Sequence, residues 1–184
     1  MRRKYLLWLV LAAASVQFPA CNTASPEQYF AIAILNTNMM HGFAGNGALQ
    51  RELESPSVQM VDGNKDRIET MKRKDVIDSR IQTLEAGHDK VKNLKVTDDT
   101  REMLQASDAL YKYVLPVYKN EYLQLAKMYD ENASPEEIRS YSQLISDKYY
   151  PGFAQLHEKL VATGKTYAEK HKINVQWDVQ TSPR

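Results

Sequence analysis

Few residues of this chain could do chemistry: four histidines, one cysteine, seven methionines and eleven tyrosines in 184 residues. Glu85-x-x-His88 matches half of the di-iron carboxylate motif carried by helical bundles. A complete site needs a second Glu-x-x-His. The residues three before His41, His157 and His171 are Asn38, Ala154 and Ala168. An inward carboxylate at the same height is needed as well. Glu121 falls inward in its helical pattern, but about 36 Å from the connecting turn, whereas His88 falls about 10 Å from it. His88 therefore reads as an interior histidine with a hydrogen-bond partner. Met39 and His157 fall at similar heights on neighbouring predicted helices, roughly 21 Å from one end. That pair would suit Met–His ligation of a haem, although seven methionines and four histidines make such coincidences common. Asp62-x-Asn64-x-Asp66 opens like a calcium loop, yet Arg67 and Arg73 stand where that loop needs Gly and Glu. Gly42, Gly45 and Gly47 follow no strand, so they do not form a dinucleotide fingerprint. No serine–histidine pair has a nucleophile elbow. The expectation is a protein with no catalytic, metal or cofactor residues, and not an enzyme.

Ten tyrosines lie beyond residue 20, nine of them between Tyr111 and Tyr167. They read either as packing, each hydroxyl reaching solvent at a bundle edge, or as a ligand face for sugars or aromatic compounds. The chain is 43% hydrophobic and 26% charged, with a net charge of +1, which suits one globular domain. Near-neutral charge argues against a nucleic-acid binder. Seven Gly and seven Pro are too few for a turn-rich all-β fold.

Cys21 is the only cysteine. Before it, Arg2, Arg3 and Lys4 cap an uncharged run over residues 5–16, too short to span a membrane and suited to a secretory signal peptide over residues 1–20. A lone thiol is of little use in an oxidising compartment. Phe18-Pro19-Ala20-Cys21 resembles a lipobox through its small residue before Cys21, although Phe18 and Pro19 depart from the usual pattern. Cys21 is accordingly expected to carry a lipid, with residues 21–24 as a linker; cleavage near Ala20 leaving a free thiol is the alternative. Asn22 stands where, by resemblance to proteobacterial sorting rules, Asp would retain the protein at the inner membrane, so the outer membrane is expected. Without the three basic leader residues, 21 Lys and Arg face 23 Asp and Glu.

Residues 25–184 read as one all-α domain, an antiparallel up-down-up-down four-helix bundle with a short extended C-terminal tail. Ser25-Pro26-Glu27-Gln28 and Ser134-Pro135-Glu136-Glu137 are capping boxes with proline at the first helical position. Thr97-Asp98-Asp99 offers a capping threonine and an acidic first turn, and a softer start follows Asp62-Gly63-Asn64, near Asp66. The second helix is expected to run to about Leu94, with Ile77, Ile81, Leu84, His88 and Val91 in phase. The third runs over about 98–129, with Leu110, Val114, Val117 and Glu121 in one stripe and Tyr111, Leu115, Tyr118, Tyr122, Leu125 and Tyr129 in another. The fourth runs over about 135–171. Apolar phase continues across Pro116 and Pro151, which predicts kinks rather than breaks. They lie roughly 22 and 25 Å from the shared turn, nearly one level. Ile173, Val175, Trp177 and Val179 then alternate with polar residues as an extended tail over 173–184.

The chain resembles a family of small helical lipoproteins from spirochaetes and Bacteroidetes, known mainly as surface proteins of unknown function. Cys21, Tyr118-x-x-x-Tyr122 and Tyr167-Ala168-Glu169-Lys170-His171-Lys172-Ile173 carry the resemblance, which covers about residues 27–175. It implies no catalytic residues. The expected role is a non-enzymatic, lipid-anchored envelope protein acting as an interaction or structural module; the alternative is a periplasmic ligand- or cofactor-binding bundle. Residues 28–50 hold no Lys, Arg, Asp or Glu. Such a helix needs cover on its outer face. The tail is expected to cover it as far as about Met40, and a protein partner or second copy to contact it near the glycines.

Overall fold

A computed structural model describes residues 24–45, 48–55, 58–60 and 68–177. The leader, Cys21, Asp62, Asn64 and Asp66 lie outside them. Among the described residues the fold is all-α apart from one small hairpin. In order come α1 (Pro26–Ala33), a 3-10 helix (Leu35–Met40), α2 (Ala48–Glu54), strands β1 (Val58–Met60) and β2 (Ile68–Thr70), then α3 (Arg73–Lys92), α4 (Arg101–Val117), a π turn (Tyr118–Tyr122), α5 (Leu123–Asp130) and α6 (Pro135–Lys170).

Both serine caps form as expected. Ser25 Oγ accepts the Gln28 amide at 3.3 Å while Gln28 Oε1 accepts the Ser25 amide at 2.9 Å. Ser134 and Glu137 repeat the pair at 3.3 and 2.9 Å. Each box satisfies two amides that a helix start leaves without partners. At the third start, residues 98–100 form a turn and α4 begins at Arg101, whose amide reaches the Thr97 carbonyl at 3.0 Å. Helix continues through Pro116 to the π turn, and α6 runs unbroken through Pro151.

Two expectations are corrected. The uncharged stretch is not one helix. The Thr37 hydroxyl donates to the Ile34 carbonyl at 2.6 Å where α1 tightens into the 3-10 helix. Short polar side chains compete with helical bonding in this way. Gly42 at φ 80 and Ala44 at φ 48 then reverse the chain, and α2 follows. This path takes Met40, Phe43 and Ala44 into the core, which is why charges are absent there. The second long helix begins at Arg73 rather than near Asp66. Before it, β1 and β2 pair antiparallel with Val58 opposite Thr70 and Met60 opposite Ile68. Its cap comes from a distant residue: Asp130 at the end of α5 accepts the Arg73 and Lys74 amides at 3.0 and 3.1 Å. A carboxylate there also complements the helix dipole.

α3 packs on α4 and α5, and α6 on α4. The pairings fix their relative positions. Along α3, Arg73 meets Asp130, Glu85 meets Lys119 and His88 meets Asp108. Along α6, Tyr141 and Tyr149 meet Glu121, and Lys170 meets Asp99. The core between them centres on Tyr111, Tyr118, Phe30, Phe43, Leu84 and Leu110. Ile173, Val175 and Trp177 are half-buried and Asn174 and Gln176 exposed, so the tail alternates as its sequence suggests. Trp177 meets Phe30 of α1 edge-on, with centroids 5.8 Å apart.

Candidate functional site

The densest polar and aromatic chemistry surrounds the π turn. Such wide turns are rare and frequent at functional sites. Tyr118 donates its amide toward both Val114 and Leu115 carbonyls, and the Asn120 side chain caps the Pro116 carbonyl at 2.8 Å. The turn sends Tyr118 and Tyr122 into the core and leaves Glu121 half-buried toward α6. Tyr141 and Tyr149, two turns apart on α6, donate their hydroxyls to Glu121 at 2.7 and 2.6 Å, and Lys148 lies 3.4 Å from the same carboxylate. Tyr113 donates to the Tyr149 carbonyl at 3.0 Å.

Behind this polar group sits Phe43. Its ring lies 4.9 Å from Phe153, 5.8 Å from Tyr118 and 5.9 Å from Tyr122. The Ala44 amide donates to the Tyr122 hydroxyl at 2.9 Å, closing the loop after the 3-10 helix onto the aromatic cluster. The electrostatics follow from these contacts. Phenol bonds from Tyr149 and Tyr141 hold the Glu121 carboxyl below its usual value, against a smaller opposing effect of burial. Burial, then the Glu121 bond, pushes Tyr141 up to about 12. At neutral pH the arrangement is an ionised carboxylate with its lone pairs already engaged by protonated phenols. It can position side chains and bind polar ligands by exchange of a phenol; it is poorly disposed to abstract a proton.

The residues singled out in the sequence are dispersed. His88 Nε2 lies 2.8 Å from Asp108 and its ring stacks on Tyr111 at 5.2 Å, the interior partnership expected of it. Glu85 pairs with Lys119 at 2.5 Å instead. Met39 lines a groove with Glu52, Met71 and Arg80, and its carbonyl accepts from Arg80 at 3.2 Å. His157 stacks on Phe153. His171 lies 2.6 Å from Asp99 and against Tyr167. Among the described residues, no group of three or more His, Cys, Asp and Glu is placed to hold a metal ion, and no helix is long and apolar enough to cross a membrane. The tyrosines correct one expectation. Not every hydroxyl reaches solvent: those of Tyr111 and Tyr118 are buried with no hydrogen-bond partner among the described residues. Burial pushes Tyr111 up to about 12.

Burial, then the charge of His41, lowers the His157 pKa below its usual 6.5. The unfolded chain therefore binds this proton more readily than the folded one. Stability should be complete above pH 6.5 and fall as the pH drops through that value toward the lower folded one, by at most about 1.4 kcal/mol per pH unit. Urea midpoints at pH 7.5 and 5.5 test this; His157→Gln should shrink the difference, and an unchanged slope would refute the assignment. No protein-family model, curated protein or solved structure matches the chain.

Proposed function

We propose that this protein is a non-enzymatic, lipid-anchored module of the cell envelope, at the outer membrane, acting through protein contacts. Its helices follow an antiparallel four-helix plan. The pairings of Arg73 with Asp130, Glu85 with Lys119 and Tyr141 with Glu121 support that plan. One observation carries the functional reading: the only cysteine stands five residues behind a basic-capped apolar run and four residues before the Ser25 cap of the first helix. The contact surface is assigned to the first segment and its glycines, where Leu35 is 46% exposed within an uncharged stretch.

The test is the anchor. With Cys21→Ala, the protein should move almost wholly from the detergent phase of extracted membranes to the aqueous phase, and lose incorporation of labelled palmitate. Continued membrane partition in high salt would refute lipid anchoring.

A further inference from the structure

After α6 the chain reverses at Lys172, which sits at φ 56. That left-handed conformation strains a residue other than glycine. Three backbone bonds hold the reversal: His171 to the Tyr167 carbonyl at 3.1 Å, Lys172 to Glu169 at 3.2 Å and Ile173 to Ala168 at 2.9 Å. Residues 174–177 make no backbone hydrogen bond to another described residue. Among the described residues their contacts are made by side chains, with Ile173, Val175 and Trp177 half-buried on one side.

The surface beneath them is shaped for this occupant. Gly164 of α6 is buried, and a Cβ there would lie 2.7 Å from Ile34 Cδ1 and 3.3 Å from the Trp177 indole. A larger residue would collide with Ile34 first and press on the indole. Phe30 meets the indole edge-on, and the Lys165 ammonium lies 5.6 Å over its ring. The result is a groove between α1 and α6 whose occupant is fixed by one aromatic anchor and alternate apolar residues, on a strained hinge and without a hydrogen-bonded ladder. Such a segment is exchangeable at low cost, because a second copy supplies identical contacts. Exchange also lets each hinge relax into extended backbone.

We propose that the groove between α1 and α6 accepts the tail of a second copy, so that two chains dimerise by exchanging residues 173–177. This goes beyond the contact surface proposed above at Leu35 and the glycines, and does not rest on it. It is tested on the full chain carrying Cys21→Ala, so that its failure would leave the anchoring test untouched.

Sedimentation of hinge variants separates the outcomes, with far-UV helicity as a check on folding. Lys172→Pro cannot adopt a φ near +56° and has no amide for the Glu169 carbonyl. It should convert the chain to a dimer at micromolar concentration. Lys172→Gly relieves the strain of the closed form and should weaken dimerisation about twenty-five-fold, about fivefold from each of two hinges. Adding Trp177→Ala to Lys172→Pro should return monomer. A peptide of residues 172–184 should bind saturably to the full-length Trp177→Ala chain, whose own anchor is missing. A helical but monomeric Lys172→Pro, a dimer that survives Trp177→Ala, or a peptide that does not bind would each overturn the proposal.

Discussion

Replacing Gly87 with alanine should destabilise the protein by about 2 kcal/mol, and adding Tyr111→Phe should restore most of the loss. A Cβ at Gly87 would lie 2.5 Å from the Tyr111 hydroxyl oxygen but 3.2 Å from the ring carbon that bears it. The clash is thus with one atom, and that atom is buried with no hydrogen-bond partner among the described residues. Removing it forfeits no bond. Alanine also gains about 1 kcal/mol of helix propensity over glycine, which offsets part of the strain. Tyr111→Phe alone should change stability by less than about 1 kcal/mol. The same substitution on α6 behaves differently. A Cβ at Gly152 would meet the Tyr113 hydroxyl at 2.4 Å and two ring carbons at 2.8 and 3.1 Å. Gly152→Ala should cost about 3 kcal/mol, and Tyr113→Phe should not rescue it, because the ring still collides and the bond to the Tyr149 carbonyl is lost. Urea denaturation of the two double-mutant cycles distinguishes the cases; equal rescue at both sites would contradict the packing described.

Glu121→Ala should lower stability by about 2 to 3 kcal/mol at pH 7, since it leaves the Tyr141 and Tyr149 hydroxyls without their acceptor. The effect should depend on pH. The folded carboxyl titrates below its ordinary 4.5. Its contribution is therefore complete above that value and is lost as the pH falls through the lowered folded one. The gap between native protein and variant should narrow as the pH falls below 4.5, and Glu121→Gln should remove this portion of the acid dependence. A constant gap between pH 7 and pH 3 would mean that packing, not the charged acceptor, sets the cost.

What could be read from the sequence was whatever depends on neighbours along the chain. Ser25 and Ser134 form their caps with residues three positions away, so the local motif suffices. The stripes through Leu110, Val114 and Val117 and through Tyr111 predicted the buried face of α4 because one period governs it. The start of α3 was not legible, because its cap is Asp130, 57 residues from Arg73. Nor was the hairpin: Val58 to Met60 and Ile68 to Thr70 are strands of three residues, too short to show an alternating pattern. The bend after α1 was written in Asn36, Thr37 and Asn38, but apolar spacing on both sides hides it. The site itself was half visible. Glu121 falls in an inward stripe, and Tyr141 and Tyr149 share a face of α6, yet their meeting is a tertiary fact. The π turn had no sequence mark beyond Pro116.

That turn makes the molecule unequal in its tolerance of deletions and insertions. Bonding to the fifth residue absorbs one more residue than the ordinary helical pattern over the same turn. A single-codon deletion within residues 118–122 would let the segment wind as ordinary helix and leave the residues beyond it close to their present phase. An insertion there has no further wide turn to absorb it and would rotate everything beyond by about 100° around the axis. Leu125 and Ala126 would then leave the core, and Asp130 would swing away from the α3 amides it caps. Exposed Lys119 and Asn120 are the positions from which the spare residue could be removed with no loss of a core side chain.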